Sequence, residues 1–130
     1  MTETLVREAA DADLDAVVAV LRAANAEFAD LLPATVFQAF VKNSLDVRSR
    51  LADSILMVAE RHGQIVGTIT YYPDASLEGW DWPAHWAGLR AVGVHPDSRG
   101  MGIGSLMVRV CIERARAQGV EALCLHTGDF

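Results

Sequence analysis

The chain has 130 residues, 52% of them apolar and 22% charged, with a formal net charge of −6. Such a length suits one domain, expected to span residues 1–130, that buries roughly two-thirds of its unfolded surface. The apolar content excludes a disordered chain, and the acidic balance argues against nucleic acid as a partner, since its binders usually carry a basic stripe.

Leu5 and Val6 mark a short edge strand. Asp11 is placed to cap a helix, with Asp13 and Asp15 near its positive end. Leu14, Val17, Val18, Leu21 and Ala24 then recur at the spacing of one buried face. A second helix is expected from Pro33, carrying Val36, Phe37, Phe40 and Val41, with "SLDVRSRLA" extending it. The period then changes: "SILMVAE" and "QIVGTITYY" are β-branched apolar runs separated by Arg61-His62-Gly63, the pattern of a hairpin. A turn-rich loop, "PDASLEGWDWPAH", leads to the strand "WAGLRAVGV". Farther on, Leu106, Met107, Val110, Cys111 and Ala115 form a helix face. Arg109, Glu113 and Arg116 lie on the opposite stripe, and Gly119 is placed to end the helix. "VEALCLH" reads as a strand buried in a parallel pair. The expected order is β-α-α-β-β-β-α-β, an α/β fold (α+β, three-layer) with a mixed sheet.

Neither a secretory signal nor the ~20 consecutive apolar residues of a membrane helix is visible, so a cytoplasmic domain without membrane partners is expected. Cys111 and Cys124 are too few and too embedded in apolar stretches for a disulfide framework, and they read as packing residues rather than nucleophiles.

The stretch "VHPDSRGMGIGS" sets Gly100, Gly102 and Gly104 at alternate positions, behind Arg99 and ahead of a helix. A loop feeding a helix start exposes unpaired N–H groups at the positive end of the dipole. Glycines let a ligand come close to that backbone. Arg99 can grip a phosphate through two donors, and Ser105 adds a hydroxyl. Together they suit a pyrophosphate. A Walker loop is excluded for want of a lysine. The dinucleotide fingerprint fits poorly, because the spacing is G-x-G-x-G and the first glycine lies well past the strand. Gly93 interrupts the preceding strand, where glycine marks a bulge or a close backbone approach. A bulge there frees N–H groups for an extended, amide-bearing arm. Coenzyme A carries both a pyrophosphate and such an arm.

Val92-Gly93-Val94, His95-Pro96 and Arg99-Gly100-Met101-Gly102-Ile103-Gly104 resemble the acetyl-CoA signature of the GNAT superfamily of N-acetyltransferases. That signature is a hydrophobic strand ending in V-x-P, followed by [Q/R]-x-x-G-x-[G/A]. The element order matches the family's first eight elements, so the resemblance covers nearly the whole chain. It implies a transferase using acetyl-CoA, with no metal. The backbone N–H groups of Gly100, Met101, Gly102, Ile103, Gly104 and Ser105 would hold the pyrophosphate. Val92 and Val94 would pair with the pantetheine amides, with Gly93 between them, and strand N–H groups would polarise the thioester carbonyl. A primary amine of a small molecule or a protein would attack directly.

The family fold normally continues with another helix and two strands, often carrying a tyrosine that reprotonates the leaving thiolate. This sequence stops at His126-Thr127-Gly128-Asp129-Phe130, and its tyrosines, Tyr71 and Tyr72, lie on an earlier strand. The expectation is a C-terminally incomplete sheet: a shortened chain, a half-fold completed by a partner chain, or a natural remnant. Its exposed last strand favours a homodimer.

For the general base the sequence offers His85, just before the strand, and Glu60, which closes an earlier one. An exposed or capping loop histidine is the commoner reading of the first, and a solvated hairpin-end carboxylate of the second. His126 is a further candidate at the end of a parallel strand. Trp80, Trp82 and Trp86 with Pro83 either wall an acceptor pocket or plug the end of the sheet. The rivals to an acetyltransferase are a CoA-binding module without turnover and a nucleotide-phosphate protein.

Overall fold

The strands and α-helices follow one another in the expected order, in a computed structural model that describes residues 3–79 and 81–125. They are β1 (Leu5–Glu8), α1 (Leu14–Asn25), α2 (Ala34–Leu45), β2 (Ile55–Arg61), β3 (Gln64–Tyr72), β4 (Ala87–Val94), α3 (Ile103–Gln118) and β5 (Leu123–Leu125). The strands form one sheet in the order β1-β2-β3-β4-β5. Neighbours are antiparallel except β4 and β5, which run parallel across the α3 crossover. The alternation of each strand sends one set of side chains to each face. Met57, Ala59, Ile69, Tyr71, Ala87 and Leu89 pack under Ile103, Met107, Cys111 and Ala115 of α3. Leu56 and Val58 pack on the other face against Leu14, Val17 and Leu21 of α1 and against Val47. The result is a three-layer α/β/α sandwich. Among the described residues no helix is long and apolar enough to cross a membrane.

The start of α1 differs from the sequence expectation. Asp11 caps nothing; the Asp13 carboxylate instead accepts the Ala10 N–H at 2.7 Å and the Arg7 guanidinium at 2.7 Å. A separate turn over Asp11–Asp13 therefore precedes the helix. Val20 is buried where the spacing had pointed to Val18, which is only partly covered.

The second helix also stops earlier than expected. It ends at Leu45, because Asp46 turns out of the helix and Val47 drops into the core. The expected continuation becomes a separate turn over Arg48–Arg50. Against the rest of the fold, α2 is held by an edge-to-face contact of Phe40 with Phe28, centroids 5.6 Å apart. The Asn43 Oδ1 also accepts from Arg90 at 2.6 Å.

The β2–β3 hairpin turns at His62 and Gly63, both with positive φ (53° and 75°), the geometry of the tight turn that matches strand twist. β5 begins at Leu123, later than the apolar run "VEALCLH" suggested, and its described residues are partly buried or exposed. Its described ladder with β4 pairs Ala87 with Leu123, Gly88 with Cys124 and Leu89 with Leu125.

Candidate active site

β4 carries the chain toward the glycine loop and is bulged on the way. Thr68 pairs with Gly93 and Thr70 with Arg90, so Ile69 of β3 faces both Ala91 and Val92 of β4. The extra residue is housed by Ala91, whose φ is 52°. The bulge anticipated from Gly93 thus exists, but Gly93 does not make it. Gly93 serves the other role of a strand glycine, since a β-carbon there would lie 3.1 Å from Leu21 Cδ2 and 3.5 Å from Ala24 Cβ. It lets α1 lie close on the sheet.

Beyond β4, the His95 N–H donates to the Val66 carbonyl at 2.8 Å, which extends the pairing with β3. A short turn at Pro96–Ser98 follows, anchored by Asp97 N–H donating to His95 Nδ1 at 3.1 Å. Gly100 and Gly102 both take left-handed conformations, φ 82° and 76°, which a side chain would strain. Gly102 is the residue that precedes α3, and it offers no side-chain cap. Among the described residues, the N–H groups from Gly100 to Ser105 have no hydrogen-bond partner; the first closed helical bond is Leu106 N–H to Gly102 carbonyl at 3.0 Å. The segment therefore presents a run of free donors at the positive end of a helix of 16 residues. That donor set suits an anionic group.

The side chains of this region divide by role. Ile103 is buried in the α3 core, while Met101 and Ser105 are exposed. Val92 is exposed and Val94 partly buried, at the stretch of β4 beyond its described pairing with β5. Arg99 is already engaged: its Nη1 lies 2.7 Å from Glu27 Oε2, and its Nη2 donates to the Ala24 carbonyl at 3.4 Å. The two-donor grip on a phosphate expected of it is not laid out in this arrangement.

The structure does not bring His85 and Glu60 together. Glu60 lies on β2, separated from β4 by β3, and its Oε2 is 3.7 Å from Arg7 Nε. With Arg7, Asp13, Gln64 and His95 it lines an open groove of about 420 Å³ against α1. His85 stands at the other end of the sheet, its Nε2 3.1 Å from Glu121 Oε2. The Glu121 N–H donates to the His85 carbonyl at 3.2 Å, so this pair ties the starts of β4 and β5. His126 and Trp80 lie outside the described residues. Trp82 and Trp86 meet at 5.8 Å between ring centroids, tilted by 30°. Burial pushes the Cys111 thiol up to about 11, which suits packing and not nucleophilic attack.

One polar group next to β4 escapes sequence reasoning. Glu78, in the loop after β3, is 8% exposed. Its carboxylate rests on the backbone of Gly88, in the space a β-carbon would fill. The Cys124 thiol, which donates to the Ala87 carbonyl at 3.3 Å, stands 3.9 Å from Glu78 Oε2. Burial raises the Glu78 pKa, while Arg90 and the thiol pull the other way. The available signal was Gly88, a second strand glycine whose reason for being small lies in a distant loop.

Comparison with known proteins bears on the family and the fold. The profile of the Acetyltransferase (GNAT) family matches residues 14–129. The L-methionine sulfoximine/L-methionine sulfone acetyltransferase of Pseudomonas aeruginosa is 28% identical over 119 residues, which are 91% of this chain and 67% of that protein. A GNAT family acetyltransferase from Brucella melitensis, solved in complex with acetyl-CoA, superposes with a TM-score of 0.69 at 25% identity, covering 98% of this chain and 77% of that one. The ribosomal-protein-alanine N-acetyltransferase of Brucella melitensis is 32% identical with a TM-score of 0.58, covering 93% of this chain and 72% of its own. With its profile matched over residues 14–129 and its sheet shared with solved acetyltransferases of that fold, the chain belongs to the GNAT family of acetyltransferases.

Proposed function

We propose that the chain transfers the acetyl group of acetyl-CoA to a primary amine of a small molecule. The observation that carries this reading is the run of N–H groups from Gly100 to Ser105 that have no partner among the described residues, following a bulged strand. The loop takes the pyrophosphate. Val92 and Val94 pair with the amides of the pantetheine arm, and the N–H groups freed by the Ala91–Val92 bulge face the thioester carbonyl. Charge that develops on that oxygen during attack is then met by fixed donors, and the enzyme gains further by holding donor and acceptor in register.

A small acceptor is supported by the Pseudomonas relative, which acts on L-methionine sulfoximine and L-methionine sulfone and matches most of this chain. The test is calorimetry with acetyl-CoA, followed by release of free CoA thiol with L-methionine sulfone and other primary amines. Saturable binding with amine-dependent thiol release is expected. Tight binding of ATP or NAD at the same site, with acetyl-CoA excluded, would overturn the reading.

A further inference from the structure

We propose that Glu78 is the general base of this acetyltransferase: its carboxylate, seated on Gly88, receives the acceptor's ammonium group and takes its proton before the amine attacks. The inference rests on the acetyl-transfer reading of the glycine loop and adds the residue that serves the acceptor side.

Position carries it. A donor arm entering from the loop runs beside Val94 and Val92, and β4 is paired with β5 at Leu89 and below. The described ladder reaches Leu89, so the arm stops short of it and the acetyl group lies on its Arg90 side. Gly88 is the residue after Leu89 in the direction the arm travels, one strand step of roughly 3.3 Å. Above it sits the Glu78 carboxylate, so close that a β-carbon on residue 88 would collide with Oε2. Glycine inside a paired strand weakens it unless something must come near. Here the close neighbour is a carboxylate.

The burial of this group has no structural ion pair to account for it. Among the described residues no cation forms a salt bridge with Glu78. The charged and titratable groups around it are Arg90 on β4, Tyr72 on β3 and Cys124 on β5. Arg90 is itself drawn toward Asn43, whose Oδ1 accepts from its Nη2 at 2.6 Å. A buried carboxylate whose only hydrogen-bond donor among the described residues is a thiol is costly, and an incoming ammonium relieves that cost. Its raised pKa, caused first by desolvation, also makes it a better proton acceptor than a solvated glutamate.

The ammonium gives one proton to Glu78, and the neutral nitrogen forms the C–N bond at the thioester carbon. Collapse of the tetrahedral intermediate breaks the C–S bond, and a second proton passes from nitrogen to the departing CoA thiolate. Acetyl-CoA and an ammonium become an amide, CoA thiol and one proton, which Glu78 returns to solvent.

The test compares the wild-type chain with Glu78→Gln and Gly88→Ala, using two nucleophiles. L-Methionine sulfone carries a protonated amine at neutral pH, whereas hydroxylamine is largely neutral and needs no base. In Glu78→Gln, kcat with the sulfone should fall by roughly 10²-fold or more. Calorimetric affinity for acetyl-CoA should be retained, the acid limb of the pH profile should disappear, and hydroxylamine should rescue most of the lost rate. Gly88→Ala displaces the carboxylate without removing it and should give the same pattern more weakly. Unchanged kcat in Glu78→Gln, or an equal loss with both nucleophiles, would overturn the assignment while leaving acetyl transfer intact. A wild-type chain that does not bind acetyl-CoA, or passes acetyl to neither nucleophile, would overturn both.

Discussion

The Arg99 guanidinium lies 2.7 Å from the Glu27 carboxylate, a bond that joins the glycine loop to the turn after α1. Both partners are well exposed, so the pair contributes at most about 1 kcal/mol. Breaking it with Glu27→Gln frees Arg99 for a phosphate and should tighten acetyl-CoA by up to ~5-fold. Arg99→Ala should weaken it by roughly 10-fold through loss of a charge-assisted contact. Calorimetry separates the two variants, and equal affinity in Arg99→Ala and wild type would mean that Arg99 serves Glu27 alone.

Gly104 allows stability and binding to be pulled apart. It lies inside α3 without a left-handed conformation, and an added β-carbon would meet only Val94 Cγ2, at 3.8 Å. Gly104→Ala should therefore raise the Tm, since alanine stabilises a helix by up to about 1 kcal/mol over glycine. The same methyl group stands among the free N–H donors and should lower acetyl-CoA affinity by roughly 10-fold or more. A variant both more stable and equally tight would remove Gly104 from the phosphate site.

Gly93 should respond differently, through packing. Its added β-carbon would press on Leu21 Cδ2 at 3.1 Å. Overpacking at such a contact costs roughly 1–3 kcal/mol, so Gly93→Ala should lower urea midpoints without changing the slope of the transition.

Asp13 gives a pH signature. Hydrogen bonds from Arg7 and from the Ala10 backbone hold its pKa at about 2, below the ordinary 3.8. A depressed carboxylate pKa contributes stability that is present above the unfolded value and lost as pH falls through the folded one. Asp13→Asn should lower the Tm at neutral pH. The gap to wild type should narrow from pH 3.8 toward about 2 and close below it. A gap independent of pH would assign the loss to packing.

Local pattern was enough to read the element order and the glycine loop. The Met107, Cys111 and Ala115 spacing, the His62-Gly63 turn and the glycines at 100 and 102 each act through residues close to them in sequence. What was not legible depends on contacts between distant segments. Gly93 looked like the bulge residue, yet its size answers to Leu21 on α1, and the bulge falls on Ala91. Arg99 looked free for a ligand, but Glu27 lies 72 positions away and reaches it only through the fold. Glu78 drew no attention because nothing in "SLEG" says that its carboxylate will rest on Gly88. His85 and Glu60 had suitable chemistry, but the fold sets them at opposite ends of the sheet, Glu60 on β2 and His85 just before β4.

The most direct test of the central claim is an amide chemical-shift titration of the chain with acetyl-CoA. The account predicts saturable shifts concentrated at the N–H groups of Gly100 to Ser105 and along Ala91 to Val94, with the groove around Arg7 and Glu60 unmoved. Saturation that leaves Gly100 to Ser105 unshifted would contradict it.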